Sequence, residues 1–180
     1  GNRMPVADWA PHGAYPCRGN DEWITIAVQT DGQWQALVAE IGSSDWVRDT
    51  RFETAAERKA NEDDLDRLIA EFTKNEDPYD LMHRLQKRDV PAGVVQKADD
   101  RLTRDPQLKE RGVFVPLPHS EIGTWPVEDF PAKFQNMSVE VGGLPGRAAP
   151  CMGEDNDAVY RDVLGLTLEE IAQLKEDWII

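Results

Sequence analysis

Residues 14–28, AYPCRGNDEWITIAV, predict a β-hairpin near the start of the fold. The run WITIAV at 23–28 is rich in β-branched and aromatic residues, which favour strands. RGND at 18–21 stands directly before it and has the composition of a turn. Residues 14–18 are therefore expected to pair with 23–28 as the partner strand.

Two helices are predicted after the hairpin. The first buries apolar residues that recur on one helix face: Trp34, Leu37, Val38 and Ile41. Gly42 follows and is typical of a helix end. Thr54 and Glu57 form a capping box, which predicts the start of a long helix. Its buried stripe is expected to be Leu65, Leu68, Ile69 and Phe72. Its solvated side is expected to hold Arg58, Asp63, Asp66 and Arg67.

Asp77-Pro78 predicts a third helix, with aspartate as the N-cap and proline in the first turn. Its expected core contacts are Tyr79, Met82 and Leu85. Residues 90–95, VPAGVV, interrupt the helical pattern and lead into a short strand.

The remaining chain predicts one more hairpin and three short helices. Asp105-Pro106 starts a brief helix that stops at Gly112. Val113, Val115 and Leu117 alternate as a strand, with residues 123–127 as its hairpin mate. Residues 141–150 have the composition of a linker. Two C-terminal helices follow, at 157–164 and after a second capping box of Thr167 and Glu170, where Ile171 and Leu174 are expected to be buried. The elements together predict an α+β fold of helices with short, mostly antiparallel strands, because the regular strand-helix alternation of a doubly wound sheet is absent.

Charge and composition exclude several classes of function. The chain has 34 acidic residues against 20 Lys and Arg, a net charge of −14. Such a chain repels phosphate backbones and anionic membranes, so no nucleic-acid partner is expected. No apolar run reaches the length of about 20 residues that a membrane span needs, so no membrane association is expected. The two cysteines, Cys17 and Cys151, are expected to be reduced thiols of a cytoplasmic protein.

The residues that could carry chemistry are few. His12, His83 and His119 are widely separated and neither cysteine belongs to a CxxC pair, so no metal site is predicted. The acidic pairs are typical of helix caps and solvated faces, so no catalytic residue is assigned. PHGAYP at 11–16 is the exception, since it joins a turn, an imidazole and a phenol before a strand. Loops of this kind often line pockets, so His12, Gly13 and Tyr15 are the candidate substrate-pocket residues.

The order and spacing of several segments resemble the C-terminal portion of family III CoA-transferases, the CaiB/BaiF group. The matching segments are APHGAYPC at 10–17, WITIA at 23–27, Arg58 with Asn61, VPAGVV at 90–95, DPQL at 105–108 with Arg111-Gly112, APCMGE at 149–154, LGL at 164–166 and the helix around 171–174. Val94 stands where that family commonly has proline. Asp155-Asn156 stands where it commonly has His-Thr. Some relatives place a Gly-rich loop against the substrate in a region that His12, Gly13 and Tyr15 precede or overlap, and that Gly-rich run is missing here.

The resemblance implies that CoA is transferred from an acyl-CoA to a free carboxylic acid through an aspartate-linked intermediate. That aspartate, and most contacts to CoA, would belong to an N-terminal Rossmann-like half that aligns with nothing here. Residues 1–20 would then be a lead-in and possible pocket loop, 21–130 a small α+β domain, and 131–180 a linker and helices of the large domain. The chain alone would bind no cofactor and lack activity, and CoA would be a substrate of the full-length enzyme, a homodimer. His12, Gly13 and Tyr15 would lie near the substrate.

Two alternatives stay open from the sequence. One is an acyl-CoA racemase relative, whose acid-base residues would also lie upstream. The other is a non-catalytic interaction module that keeps the small-domain fold.

Overall fold

The computed structural model describes residues 9–42, 45–130, 132, 134–143 and 146–180. The chain forms two compact units, the first ending at Lys97 and the second beginning at Ala98. Each unit has its own antiparallel sheet. The mixture of helices and short antiparallel strands confirms the predicted α+β class. No helix among the described residues is long and apolar enough to cross a membrane.

The first unit is built on a three-stranded sheet. Its strands are β1 (His12–Pro16), β2 (Trp23–Ala27) and β3 (Ala92–Val94), with β2 in the centre. Tyr15 pairs with Ile24, and Ile24 with Val94. The predicted hairpin and the short strand at 90–95 are therefore confirmed, although β1 starts two residues before the predicted strand.

Four helices accompany this sheet: α1 (Asp31–Ile41), α2 (Ala55–Ala60), α3 (Glu62–Thr73) and α4 (Pro78–Gln86). Two 3-10 turns, Asp45–Arg48 and Thr50–Phe52, lie between α1 and α2. The predicted caps are confirmed, since the Thr54 side chain accepts a hydrogen bond from the Glu57 backbone N–H and Asp77 accepts from two N–H groups at the start of α4.

The predicted long helix after Thr54 is wrong, because it is broken at Asn61. This residue has φ −111° and ψ 27°, outside helical values. Its side-chain amide donates to Glu57 O at 2.9 Å and to Arg51 O at 3.3 Å. Side-chain hydrogen bonds of this kind compete with the helical backbone pattern, and so end α2 before α3 begins.

The core of the first unit lies between one face of the sheet and the helices. Its members are Ala10, Tyr15, Cys17, Ile24, Ile26, Val28, Trp34, Leu37, Ile41, Phe52, Leu65, Ile69, Leu81, Leu85 and Val90. Successive residues of a strand point to opposite faces, so Ile24 and Ile26 enter the core while Thr25 faces outward. On α4 the fully buried residues are Leu81 and Leu85. The expected contacts Tyr79 and Met82 are only half-buried, because the inward face passes through Pro78, Leu81 and Leu85.

The predicted solvated position of Arg58 is also wrong, since only 1% of this residue is exposed. Its Nε donates to Ala10 O at 2.9 Å, and one terminal nitrogen donates to Phe52 O and Glu53 O, each at 3.3 Å. The other terminal nitrogen donates to the Asp31 carboxylate at 3.1 Å. The guanidinium also lies 4.8 Å from the centre of the Trp34 ring, which favours a cation. Arg58 thereby joins the segment before β1, the second 3-10 turn and the first turn of α1.

Cys17 is a core thiol beside three carboxylates. It is 7% exposed. Burial raises its pKa to about 11, and the negative charges of Asp77, Glu22 and Glu76 act in the same direction. Both effects disfavour the thiolate, which is the reactive form of cysteine. Cys17 is therefore a structural side chain rather than a nucleophile.

The second unit contains α5 (Ala98–Thr103), α6 (Pro106–Glu110), β4 (Phe114–His119), β5 (Gly123–Glu128) and α7 (Leu168–Glu176). The antiparallel β4–β5 hairpin, α6 and the capped α7 confirm the predictions, whereas α5 was not predicted. In α7, Ile171 is buried and Leu174 is half-buried.

The helix expected at 157–164 is instead a π-helical turn, Ala158–Val163. The N–H of Leu164 reaches back five residues to Val159 O, which widens the turn before the chain reverses at Gly165, with φ 73°.

Substitution of Arg58 should destabilise the first unit strongly. Arg58→Met keeps an apolar side chain but removes the guanidinium N–H groups that donate to the carbonyl oxygens of Ala10, Phe52 and Glu53. We expect a loss of about 3 kcal/mol or more in the free energy of unfolding, measured by urea titration with tryptophan fluorescence. The matched control is Arg67→Met, because the Arg67 side chain on α3 is 59% exposed. Equal unfolding midpoints for the two variants would contradict the role given to Arg58.

Alkylation should distinguish the two cysteines. In a Cys151→Ser variant, iodoacetamide at pH 8 is expected to alkylate Cys17 about a hundredfold more slowly in the folded protein than in the protein unfolded by urea. The reason is that a rise in the pKa of Cys17 from 9.0 to about 11 lowers its thiolate fraction by about that factor. The folded state holds the proton more tightly, so this group's contribution to stability is complete below pH 9 and disappears as the pH rises toward 11. A Cys17→Ser variant reports Cys151 alone. Rapid alkylation of folded Cys17 would refute this assignment.

Candidate functional site

A groove runs across the outer face of the three-stranded sheet, away from the core. Its volume is about 590 Å³. We call it the open-face groove, and its lining residues are His12, Gly13, Ala14, Thr25, Ile26, Ala27, Pro91, Ala92 and Gly93. All of them belong to the three strands or directly precede β3, so the groove is formed within the first unit.

Strand register explains why this face has room for a groove. His12 pairs with Ala27, and Ala14 pairs with Thr25. Thr25 in turn pairs with Gly93 on the other side. Paired residues of an antiparallel sheet share a face, and apart from His12 the outward residues of these pairs have small side chains. The Thr25 hydroxyl donates to Gly93 O at 3.0 Å and is therefore already engaged.

His12 stands at the edge of the groove, at the first position of β1. Its imidazole is half-buried and lies 5.6 Å from the Trp9 ring, between ring centres. The two residues before it are fixed from both sides. Val28 donates its N–H to Pro11 O at 2.8 Å, and Arg58 donates to Ala10 O. The buried arginine therefore holds the segment that places His12 beside the groove.

Gly13 also lines the groove, through its backbone, and a larger residue at this position would crowd the Tyr15 ring. A Cβ on Gly13 would lie 3.0 Å from Tyr15 Oη and 3.1 Å from Tyr15 Cζ. Such contacts are shorter than ordinary packing distances, so either the tyrosine or the strand would have to shift.

Tyr15 lies in the core and is not among the groove-lining residues. It is 3% exposed, and its Oη donates to Asp66 Oδ1 at 2.8 Å. The structure therefore brings His12 and Gly13 together at the groove and places Tyr15 beneath them, tying β1 to α3. Asp66, expected in solvent, accepts this hydrogen bond.

The groove lining has few side chains that could take part in chemistry. No carboxylate, thiol or amine side chain is among the nine lining residues. Among the residues that the structure describes, no group of three or more His, Cys, Asp or Glu side chains could hold a metal ion. The only titratable lining group is the imidazole of His12, which can donate or accept a hydrogen bond.

In the second unit, the segment APCMGE at 149–154 forms a turn that is fixed by charge. Glu154 accepts a hydrogen bond from the Cys151 N–H at 2.7 Å. Arg147 pairs with both Glu154 and Asp155, and the hydrogen bond that it donates to the Asp155 carboxylate raises the pKa of Arg147 above its ordinary value. The Ala148 N–H donates to Pro118 O at 3.0 Å, which attaches this segment to β4. Cys151 Sγ lies 3.1 Å from Ser120 Oγ.

Arg58 is the residue whose role the sequence reasoning missed. The sequence does contain one signal, the helical spacing of positions 58, 62, 65 and 69. In the structure all four of these residues are buried. The charged side chains at the first two positions hid the continuation of the Leu65 and Ile69 stripe. Arg147 was not singled out either, and nothing in the local pattern marks its pairing.

Comparison with known proteins gives consistent matches. The family model of CoA-transferase family III matches residues 1–156. A probable CoA-transferase of Mycobacterium tuberculosis is 33% identical over 93% of this chain and 21% of its own length. A succinyl-CoA–D-citramalate CoA-transferase of Chloroflexus aurantiacus is 28% identical over 100% of this chain and 43% of its own. The chain thus spans less than half the length of these relatives.

Among solved structures, a CaiB/BaiF family protein from Brucella suis superposes with a TM-score of 0.71. It is 26% identical, and the superposition covers 88% of this chain and 39% of that protein. The likeness therefore includes both sequence and fold, and the segments that suggested the family from the sequence alone lie within the matched range or just beyond it. The chain belongs to CoA-transferase family III.

Proposed function

We propose that this chain is the C-terminal part of an acyl-CoA:carboxylate CoA-transferase. The match to the family model over residues 1–156 carries the proposal. The share of each relative that the chain spans, 21% and 43%, supports the view that a further N-terminal portion completes the enzyme.

The reaction proposed for the complete enzyme begins with an aspartate carboxylate supplied by that N-terminal portion. One carboxylate oxygen bonds to the acyl carbon, the thioester C–S bond breaks, and CoA leaves as the thiolate. The CoA thiolate then attacks the aspartyl carbonyl of this anhydride, which releases the first acyl group as its free acid and leaves an aspartyl-CoA thioester. The acceptor carboxylate displaces the thiolate from that thioester to form a second anhydride. Attack of the thiolate on the acceptor acyl carbon gives the new acyl-CoA and regenerates the aspartate. The groove lining of this chain has no carboxylate that could take the first step, so we propose that the chain alone is inactive.

The part we assign to this chain is to line the substrate pocket. His12 and Gly13 border the open-face groove, and Tyr15 supports them from the core side through its hydrogen bond to Asp66. We propose that acyl-CoA and the carboxylate acceptor are the substrates, and that the acyl end of the thioester lies beside His12.

The proposed organisation of the complete enzyme has residues 1–20 as a lead-in, 21–130 as the small domain and 131–180 as the linker and helices that return to the large domain. Exposed apolar side chains in the last segment would be covered there: Val163, Leu164, Leu168, Trp178 and Ile179. Surfaces of this kind commonly mark contacts with other protein. We further propose a cytoplasmic homodimer.

The test is reconstitution of activity from two chains. This chain is mixed with a separately expressed N-terminal portion of the proposed enzyme, and exchange of CoA between an unlabelled acyl-CoA and its isotopically labelled free acid is measured by chromatography. We expect exchange from the mixture and none from either chain alone. Exchange by this chain alone would contradict the missing-nucleophile assignment. Racemisation of the acyl α-carbon without exchange would favour a racemase instead, and neither activity would favour a non-catalytic module.

A pair of histidine variants tests the assigned pocket in the reconstituted enzyme. His12→Ala should lower kcat/KM about tenfold or more, because it removes the imidazole, which can donate a hydrogen bond to a reacting carbonyl group. His83→Ala is the matched control, since His83 is exposed on α4 and should leave kcat/KM unchanged. Equal activity of both variants would remove His12 from the proposed pocket.

A further inference from the structure

The open-face groove has a lining that selects among acyl groups. We infer that it receives an uncharged, apolar acyl chain of several carbons, rather than a dicarboxylic acyl group or the phosphates of CoA. This inference rests on the proposed function and specifies the substrate class of the same pocket.

The shape of the groove is the first reason. Two rows of residues cross the sheet: Ala14, Thr25 and Gly93 in one, and His12, Ala27 and Pro91 in the other. The first row consists of alanine, threonine and glycine, so the space above it is unfilled. The volume of about 590 Å³ lies within the range of small-molecule sites. A formyl or acetyl group would leave most of it empty.

The charge of the groove is the second reason. None of the nine lining residues is Lys, Arg, Asp or Glu, and the Thr25 hydroxyl is engaged with Gly93 O. A terminal carboxylate or a phosphate would leave water there without a cationic partner, which is unfavourable. The net charge of −14 adds no attraction for an anion. An aliphatic chain has no such penalty and gains from leaving water.

His12 gives the bound chain a direction. It is the titratable group of the lining and stands at one end of the row that includes Ala27. An imidazole can donate a hydrogen bond to a thioester carbonyl oxygen. The carbonyl end of the acyl group is thus placed beside His12, and the aliphatic chain extends over Ala14, Thr25 and Ala27.

The first experiment compares acyl donors in the reconstituted enzyme. We expect kcat/KM for hexanoyl-CoA to exceed that for succinyl-CoA at least tenfold. Ala14→Leu fills the groove from an exposed strand position, and should lower the hexanoyl-to-acetyl ratio of kcat/KM at least tenfold. Ala39→Leu, on the exposed side of α1, adds the same side chain outside the groove and should leave the ratio unchanged. Exchange with all donors but an unchanged ratio in Ala14→Leu would overturn the inference while the proposed function stands.

The second experiment needs no catalysis. The 180-residue chain is titrated with S-hexanoyl-N-acetylcysteamine, a thioester without phosphates, and backbone amide signals are followed by NMR. We expect saturable shifts at Ala14, Thr25 and Ala27, with affinity at least tenfold weaker in Ala14→Leu and unchanged in Ala39→Leu. Absent shifts, or equal affinity for the S-succinyl analogue, would overturn the inference. Absence of exchange with every donor in the first experiment would refute the proposed function instead.

Discussion

The first unit depends on one buried cation. The Arg58 guanidinium is surrounded by three backbone carbonyl oxygens, one aromatic ring and the carboxylate of Asp31. Two of these carbonyls, at Ala10 and Glu53, belong to residues outside regular helices and strands. Buried carbonyls need donors, and a guanidinium supplies up to five in one plane. The Arg58 side chain thus holds two segments, at Ala10 and Glu53, whose carbonyl groups have no place in the hydrogen-bond pattern of a regular helix or sheet.

The position of the groove follows from this constraint. Ala10 is completely buried and accepts from Arg58, Pro11 O accepts from Val28 N–H, and β1 starts at the next residue. The edge of the sheet is therefore held from α2 on one side and from β2 on the other. Tyr15 adds a third attachment through Asp66 on α3. His12 and Gly13 are placed by these contacts, although none of the contacts involves their own side chains.

Much of the fold could be predicted from local sequence patterns. Strands, caps and turns that depend on neighbouring residues were found, among them the hairpin before Val28, the Thr54 and Thr167 capping boxes and the β4–β5 pair. Features that depend on contacts distant in the chain were not. The burial of Arg58 needs Ala10 O, 48 residues away, and Asn61 adds a hydrogen bond to Arg51 O to the local one that it donates to Glu57 O. Arginine is ordinarily a surface residue, so composition favoured the wrong side of the helix.

The candidate site divides in the same way. The segment at 11–16 could be singled out because it combines a predicted turn with an imidazole and a phenol. The structure puts His12 and Gly13 at the groove, although the segment forms strand β1 rather than a loop. The side chains of His12 and Tyr15 lie on opposite faces of the sheet. Which face each one takes depends on the strand register, and a register shift of one residue exchanges the two faces. The groove is formed by outward residues of all three strands, and β3 starts 65 residues after the end of β2. No local sequence pattern predicts a groove that is formed by strands so far apart in the chain.

The central claim is that this face of the sheet borders the acyl group of the substrate in the complete enzyme. Hydrogen–deuterium exchange of the reconstituted enzyme, with and without a slowly reacting acyl-CoA analogue, tests it most directly. The account predicts slower exchange at residues 12–14, 25–27 and 91–93 in the presence of the analogue. Protection confined to other parts of the chain, with these three segments unchanged, would contradict it.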